Sequence, residues 1–578
     1  MTAPATGIGR WVPITRWARA YPRHLLRGDL TAGLTVAVML IPQGMAYASL
    51  AGMPPVTGLY AALVGIIAYA LFGTSGSLAV GPVAITSLLT VSGLAAITEP
   101  SDPTYPAIAA LLALTVGAML LLAGVLRLGF LVNFLSHPVI SGFTSAAAIT
   151  IALSQVKDLL GLDIGRPEGV VATIEALVRE INGANGPTML VAATAVAVLA
   201  AGKKAATRFP TALVVLVAAT LATWLGNLAA EGVAILGDVP SGLPRPELPQ
   251  VTVSLLGDLW PVAATIAIVA YAEGVSVAKA IARRTRERID ANQELIATGT
   301  ANLASGAFGG FPIAGGFSRT AVNHQSGART PLASLVTAAM LAVSVLWLTP
   351  LLRNLPKAVL AAVVVVAVAG LVDVADARRT YRTSRRDFWA LAVTFVATLL
   401  IGVEPGLAIG LVFSLLLFVA RASSPHTTEL GRVEGTTEFR NVDRYATVTD
   451  PAVALLRIDG PLFFANTKHL ADRVGALTRD RPELAHVVLD ASAIGDIDAS
   501  ALHALHELHD DLEEAGVRLH LATVRGPVRD ALDRSAKEGE FAGCFHPNLH
   551  DAVHAAMGAE GTPLSTPGHA ERHPDELR

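Results

Sequence analysis

Apolar segments long enough to cross a lipid bilayer recur through residues 30–420, and this pattern limits the possible folds more than any other feature. A helix needs about 20 apolar residues to span about 30 Å of hydrocarbon, and short polar breaks separate roughly fourteen such segments. Of the 578 residues, 52% are hydrophobic and 15% are charged, which is too apolar for the surface of a soluble enzyme. We predict an all-α polytopic membrane domain over residues 30–421.

The basic residues predict the orientation of these segments. Lys and Arg concentrate in cytoplasmic loops, and fourteen spans with a cytoplasmic N-terminus place nearly every basic cluster inside, Arg353 with Lys357 being the exception. Residues 1–29 carry five arginines and no apolar core, so we expect a cytoplasmic lead-in rather than a signal peptide. Both termini are predicted to lie in the cytoplasm, with the protein in the inner or plasma membrane.

Two short segments broken by glycine and proline lie at corresponding depths in the two halves. One begins at Gly81-Pro82-Val83, and the other follows Pro312 in the sequence PIAGG. Paired interruptions of this kind point to an inverted-repeat transporter with a binding site near the bilayer midplane. Since each half holds seven spans, an odd number, the repeats are predicted to be inverted.

Residues 310–320 combine the features of an anion site. A helix is expected to restart near Phe317, which leaves unpaired N–H groups in its first turn, and Arg319 adds a full positive charge beside them. Gly81 and Pro82 would present a second helix N-terminus from the other half. The alternative is that Arg319 merely extends to the cytoplasmic surface.

Two neutral polar residues lie in the first span, beside Pro42. Gln43 and Tyr47 are four residues apart and so share one helical face. The Gln43 amide can donate to the oxygens of an anion, and Tyr47 offers a hydroxyl or a ring edge. A hydrogen bond between helices with ordinary packing is the alternative.

Glu273 is the clearest carboxylate inside an apolar span, and an ionisable group there is a functional hypothesis by default. Burial favours its protonated form and a nearby Arg319 its carboxylate form, so protonation can be coupled to anion occupancy. One alternative is a permanent ion pair with Arg319. Another is a sodium site, for which Ser276 is the main additional oxygen ligand. We predict H⁺ as the coupling ion, with Na⁺ less favoured, and no other cofactor.

The sequence gives no support for a metal site or an enzyme. Cys544 is the single cysteine, and His503, His506 and His509 recur every third residue, a spacing that drifts around a helix surface. No nucleophile, base and orienting group occur together. The net charge of −3 averages two unlike regions and carries no information about charged partners. We predict no nucleic-acid partner.

After residue 421 charges become frequent and apolar runs shrink to strand length. The segments AVALLRIDG and HVVLD read as buried strands, and ALHALHELHDDLEEAG and PVRDALDRSA have helical periodicity. Their alternation predicts a small α/β domain over residues 440–557. Residues 558–578 are polar and contain proline, and we predict that they are disordered.

The sequence resembles the SulP family of sulfate permeases and bicarbonate transporters over nearly its whole length. The motifs that carry the resemblance are, in chain order, IPQGMAYA (41–48), GMPP (52–55), GLY (58–60), GTS (73–75), GP (81–82), NQEL (292–295) and FSRTAVN (317–323). The resemblance implies a seven-plus-seven inverted repeat with TM3 and TM10 as half-helices. It also implies a core domain that moves against a gate domain in an elevator-like cycle, within a homodimer.

The resemblance also assigns residues to the site between the two half-helices. The predicted substrate-binding residues are Gln43, Tyr47, Gly81, Pro82, Val83, Phe317, Ser318, Arg319 and Thr320. Glu273 occupies the position of the eighth-span carboxylate that marks ion coupling in prokaryotic members. Sodium-coupled bicarbonate carriers have Asp with Thr one turn later, where this chain has Glu273 and Val277, which favours protons.

The C-terminal region resembles a STAS domain around residues 490–502. In related anti-sigma-factor antagonists the phosphorylated serine corresponds to Ser500, a possible regulatory residue. Ala499 and Ala501 replace the more usual Ser and Gly there. The alternative is that Asp498 or Ser500 simply caps the following helix.

The leading functional hypothesis is proton-coupled uptake of a small inorganic or carboxylate anion, with sulfate as the first candidate. Bicarbonate and C4-dicarboxylates such as fumarate or succinate remain competitors. Anion exchange or an uncoupled anion channel is a second reading. A membrane-anchored signalling protein, whose output is the STAS domain, is a third.

Overall fold

The computed structural model describes residues 11–19, 21–130, 136–165, 167, 169–204, 211–237, 240–249, 252–535, 541 and 543–558. Apart from Gly558, the tail predicted to be disordered lies outside these residues, as does the start of the N-terminal lead-in. The chain forms two compact units, Met1–Ser414 and Leu415–Arg578.

Among its described residues, the first unit contains helices and two very short strands. Its first half contains α1 (Ile14–Trp17), α2 (Leu26–Leu50), α3 (Pro55–Phe72), β1 (Val80–Gly81), α4 (Ala84–Leu94), α5 (Tyr105–Val125), α6 (His137–Leu160), α7 (Gly169–Glu180), α8 (Gly186–Lys204) and α9 (Thr211–Leu225). Its second half contains α10 (Val253–Thr285), α11 (Ala291–Ala307), β2 (Ala314–Gly315), α12 (Phe317–Gln325), α13 (Leu332–Val343), α14 (Lys357–Val368), α15 (Val374–Thr383), α16 (Arg385–Leu400) and α17 (Val403–Ser423).

Eight helical segments among the described residues are long and apolar enough to cross a membrane, and three shorter apolar helices accompany them. When the short α1 and the amphipathic α7 and α15 are set aside, seven helices remain in each half of the described unit. A two-residue strand precedes the third helix of each set. This order agrees with the predicted seven-plus-seven arrangement with interrupted third and tenth segments.

These helices pack as two bundles. The first joins α2, α3, α5, α10, α11 and α13 with the short α4 and α12, and the second joins α6, α8, α9, α14 and α16. Small residues allow the closest approaches. A Cβ added to Gly117 of α5 would lie 2.8 Å from the carbonyl oxygen of Gly299 in α11, so this pair of backbones is almost in contact.

The described part of the second unit is a six-stranded mixed sheet with helices on its two faces. Its strands are β3 (Thr427–Arg432), β4 (Phe439–Asn441), β5 (Val453–Ile458), β6 (His486–Asp490), β7 (Arg518–Ala522) and β8 (Phe545–His546). They lie in the order β4-β3-β5-β6-β7-β8, with β5 to β8 parallel. The helices are α18 (Thr467–Asp480), α19 (Ala499–Glu514), α20 (Gly526–Ser535) and α21 (Leu549–Met557).

The sheet of this unit begins before residue 440, the start predicted from the sequence. β3 starts at Thr427 and pairs antiparallel with both β4 and β5. Its alternating burial, with Leu430 only 1% exposed, shows one face packed into the core. This strand could not be predicted from the sequence, because TTELGR is largely polar. Its burial depends on contacts with β5 and the adjoining core.

Three histidines form a chain across β6, β7 and β8. His486 Nδ1 lies 3.0 Å from His520 Nε2, and His520 Nδ1 lies 2.9 Å from His546 Nε2. Burial, together with the neighbouring histidines and Arg518, lowers the pKa of His520 to about 4. The chain is therefore held by neutral imidazoles at pH 7.

Candidate functional site

Two extended segments cross inside the first bundle. β1 and β2 pair antiparallel with Gly81 opposite Ala314, and the N–H of Gly316 donates to the carbonyl oxygen of Ala79 over 2.9 Å. Because the strands run in opposite directions, α4 and α12 begin at opposite ends of this pairing. We call this arrangement the crossing site.

The first turns of α4 and α12 leave backbone donors free at the crossing site. α4 follows the extended residue Val83, and α12 follows the extended residue Gly316. Neither helix has a side chain that caps its N-terminus. The first helical backbone bonds are donated by the N–H groups of Ser87 and Thr320. The three N–H groups ahead of each have no intrahelical acceptor, and with the helix dipoles they favour an anion.

Arg319 brings a full positive charge into the crossing site. Its side chain is only 2% exposed, and its Nη1 donates to the carbonyl oxygen of Pro82 over 2.6 Å. The Nε and Nη2 atoms are buried and have no hydrogen-bond partner among the described residues. The guanidinium therefore does not extend to the surface, and two of its nitrogens remain free to donate to a ligand.

Two glycines make room for this guanidinium. A Cβ on Gly316 would lie 2.9 Å from Arg319 Nη2, and one on Gly81 would lie 3.4 Å from the same atom. Gly81 also has a φ of +152°, which side chains rarely adopt. The glycines noted in the sequence as helix breakers thus also create the space in which Arg319 lies.

Glu273 is the carboxylate that interacts with Arg319 electrostatically. It lies half-buried on α10, next to Gly274, whose Cα would lie 2.8 Å from a Cβ on Gly315. Glu273 Oε2 is buried without a hydrogen-bond partner among the described residues. Since the free nitrogens of Arg319 are also unpartnered, the hydrogen-bonded ion pair considered from the sequence is not formed in this structure.

Tyr47 and Gln43 lie on α2, which packs against α12. The Tyr47 side chain is 7% exposed and interacts electrostatically with both Arg319 and Glu273. Gln43 is half-buried one turn earlier. The predicted helical face therefore approaches the crossing site, through Tyr47 in particular.

The remaining predicted substrate residues fall into two groups. Phe317 (58% exposed) and Ser318 are exposed in the first turn of α12. Thr320 is fully buried, and its Oγ1 donates to the carbonyl oxygen of Gly316 over 2.6 Å and accepts from the N–H of Ala79 over 3.0 Å. Val83 packs in a small apolar cluster. Thr320 thus joins the two crossing segments, while Phe317 and Ser318 are exposed.

Sequence reasoning missed the side chains that hold the extended segments in place. Asn302 pairs with both backbone groups of Ile313 at 2.9 Å, and Asn323 donates to the carbonyl oxygen of Ser77 at 2.9 Å. The sequence signal that could have identified them is an asparagine inside a membrane-domain helix, as at Asn302 and Asn323. A second carboxylate was also missed: Glu404, in the first turn of α17, has a buried Oε1 without a partner among the described residues.

The candidate regulatory residue Ser500 is exposed near the start of α19. The capping role belongs to Asp498, whose Oδ1 accepts from the N–H of Ala501 over 2.8 Å and whose Oδ2 accepts from the N–H of Phe464 over 2.9 Å. The Ser500 hydroxyl is thus not the cap of α19. Phosphorylation of Ser500 stays a prediction.

Comparisons with known proteins agree with this architecture. The sulfate permease family matches residues 26–394, and the STAS domain matches residues 444–556. The chloroplast sulfate transporter 4.1 of Arabidopsis thaliana is 36% identical over 569 residues, which cover 95% of this chain and 82% of that protein.

Two solved structures have the same fold. The murine solute carrier 26 family member A9 anion transporter, in its inward-facing state, matches with a TM-score of 0.88 and 25% identity over 96% of each chain. The transmembrane domain of a cyanobacterium bicarbonate transporter matches with a TM-score of 0.57 and 26% identity, over 68% of this chain and 97% of that one.

The helical domain, the small α/β domain and these matches are those of a multi-pass membrane transporter. The chain belongs to the sulfate permease family and carries a C-terminal STAS domain. Members of this family are transporters and not enzymes, as the sequence predicted.

Proposed function

We propose that this chain is a secondary active transporter that takes up sulfate or a similar small oxyanion, coupled to protons by an elevator-type alternating-access mechanism. The observation that carries the anion part is the buried Arg319 guanidinium, with two unpartnered nitrogens between two helix N-termini. The planar guanidinium donors match the oxygen geometry of a tetrahedral or trigonal oxyanion. The name of the Arabidopsis relative supports sulfate as the first candidate.

The anion would lie between the first turns of α4 and α12. Arg319 and the free N–H groups would donate to it, with Gly81, Pro82 and Val83 on one side and Phe317 and Ser318 on the other. Tyr47 and Gln43 would complete the pocket from α2. Thr320 would support the pocket by joining the two crossing segments rather than by touching the anion.

Proton coupling would follow from the electrostatic interaction of Glu273 with Arg319. An empty site leaves the arginine charge uncompensated, which favours the Glu273 carboxylate. A bound anion offsets that charge, so the carboxyl takes up a proton more readily. Anion and proton then bind cooperatively, as symport requires. A sodium ion would need several oxygen ligands, but beside Glu273 this segment offers only the Ser276 hydroxyl, because Val277 has no side-chain oxygen.

The two-bundle packing supports alternating access. The proposed substrate residues and Glu273 lie on α2, α4, α10 and α12 and the strands before the two short helices, all in the first bundle. The first bundle could therefore carry the anion past the second bundle as one body. We propose that this cycle operates in a homodimer in the inner or plasma membrane, with both termini in the cytoplasm.

Bicarbonate is the second candidate substrate, because the chain is similar to a cyanobacterium bicarbonate transporter. The test is uptake of radiolabelled sulfate, bicarbonate and fumarate into proteoliposomes, with and without an inward proton gradient. Gradient-stimulated uptake of sulfate, with stimulation lost in Glu273→Gln, is the expected result. Uptake that neither the gradient nor Glu273→Gln changes would contradict proton coupling and indicate an exchanger or channel. Uptake of bicarbonate or fumarate alone would replace sulfate as the substrate.

A further inference from the structure

A patch of arginines lies outside the crossing site, on α15 and at the start of α16. Its members are all exposed: Arg378, Arg379, Arg382, Arg385 and Arg386. The first three, with Ala375 and Thr383, line a shallow open depression on one face of α15. We call these five residues the arginine patch.

The arginine patch is held on a fixed surface. Asp376, on α15, is only 6% exposed and accepts from Ser141 Oγ of α6 over 2.8 Å. It also lies 3.2 Å from His137 Nε2 of α6 and accepts from Arg379 Nη2 over 2.6 Å. These contacts fix α15 against α6, so the outward arginines have a defined spacing.

Most of the charge in the patch is uncompensated. Arg379 is paired with Asp376, and the Arg385 guanidinium lies 5.9 Å from the centre of the Tyr381 ring. Arg378 and Arg386 make no ion pair or hydrogen bond with the described residues, and the same holds for Arg382. The patch therefore offers several guanidinium groups to an anionic partner from outside the protein.

The aromatic side chains beside the patch are of the kind found at a membrane surface. Tyr381 and Trp389 are 49% and 60% exposed, and Phe388 packs between them with ring-centre distances of 5.0 and 6.1 Å. Exposed Tyr and Trp rings are typical of the interface between hydrocarbon and water. Further along α16, Val396 and Leu400 are exposed apolar residues suited to contact acyl chains.

We propose that the arginine patch binds the headgroup of an anionic phospholipid of the surrounding bilayer. Its phosphate would accept from the guanidinium groups of Arg378, Arg382 and Arg386, while its acyl chains would follow the exposed apolar face of α16. The lipid would thus contact α15 and α16 together. This site is separate from the proposed transport site and does not depend on which anion is carried.

The test is native mass spectrometry of the full-length protein in detergent, titrated with phosphatidylglycerol or with phosphatidylcholine. The triple variant Arg378→Gln, Arg382→Gln, Arg386→Gln is expected to bind phosphatidylglycerol at least about 10-fold more weakly than the wild type, because each arginine contributes to attraction. Phosphatidylcholine binding should be weak and equal in both proteins. The matched control replaces three exposed arginines of the second unit, Arg473, Arg479 and Arg534, by Gln and should behave as the wild type.

Three outcomes would overturn the proposal. One is equal phosphatidylglycerol affinity in the patch variant and the wild type, when both proteins have the same thermal unfolding profile. Another is equal weakening in the control variant, which would indicate nonspecific attraction. The third is displacement of the lipid by inorganic phosphate at equal concentration, which would indicate a site for free anions. If the triple variant unfolds at a lower temperature, the double variant Arg378→Gln, Arg382→Gln replaces it, and unchanged phosphatidylglycerol affinity in that variant would equally overturn the proposal.

Discussion

Arg319 Nη1 donates a hydrogen bond of 2.6 Å to the carbonyl oxygen of Pro82, a residue 237 positions earlier in the chain. This bond joins the first turn of α12 to the segment that precedes α4. The position of the guanidinium is therefore set by both halves of the first unit. Any change that displaces either segment should alter anion binding even when it touches no ligand.

Gly316→Ala tests how tightly the guanidinium is positioned. Gly316 has an ordinary φ of −85°, so alanine adds no backbone strain, but its Cβ would lie 2.9 Å from Arg319 Nη2 and 3.0 Å from Cζ. Overpacking of this kind costs about 1–3 kcal/mol, so we expect sulfate affinity to fall about tenfold or more. Isothermal titration calorimetry of the purified protein measures this change. Gly257→Ala, where no atom lies within 4 Å of the added Cβ, is the control and should bind normally.

Thr320→Val tests whether Thr320 supports the site or binds the anion. The valine removes both bonds of the hydroxyl and leaves the buried N–H of Ala79 without its acceptor, which should cost about 1–3 kcal/mol of stability. Thr320→Ser keeps the hydroxyl and should restore most of the thermal stability. An unchanged unfolding temperature for Thr320→Val, with sulfate binding lost, would show direct contact with the anion instead.

The lowered pKa of His520 predicts that the free energy of unfolding of the second unit decreases in acid. Its folded pKa of about 4 lies below the ordinary value of 6.5, so between these pH values the unfolded state binds more protons. Stability contributed by the neutral His520 is present above pH 6.5 and is lost as the pH falls towards 4, by up to about 3 kcal/mol. Urea unfolding of residues 424–558, which contain the whole sheet, measures this dependence at several pH values.

The charged groups around the histidine chain can be separated by variants. Arg518 and His486 also disfavour the protonated form of His520, whereas Asp551 favours protonation of His546. His520→Gln should flatten the pH dependence between 6.5 and 4, and the exposed His503→Gln on α19 should not. An equally steep dependence in His520→Gln would assign the effect to other groups.

The sequence predicted those parts of the crossing site whose signal is local. Glycine and proline breaks, with a charged residue among them, marked the two interruptions in which β1, β2 and Arg319 lie, although the sequence did not show that the interruptions pair as strands. The Pro82 carbonyl as the partner of Arg319, and Ala79 as the partner of Thr320, could not be predicted, because they depend on how two distant segments cross. The same limit applies to β3, whose polar sequence becomes a buried strand only beside β5, and to the histidine chain, which exists only in the parallel register of β6, β7 and β8.

The account as a whole depends on the role of Arg319 in binding the transported anion. The most direct test is the initial rate of radiolabelled sulfate uptake into proteoliposomes by Arg319→Gln, with the exposed Arg245→Gln as the matched control. We predict that Arg319→Gln loses uptake and calorimetric sulfate binding while it retains the thermal unfolding profile of the wild type, and that Arg245→Gln keeps all three. Sulfate uptake and affinity unchanged in Arg319→Gln would contradict the assignment of the crossing site as the anion-binding site.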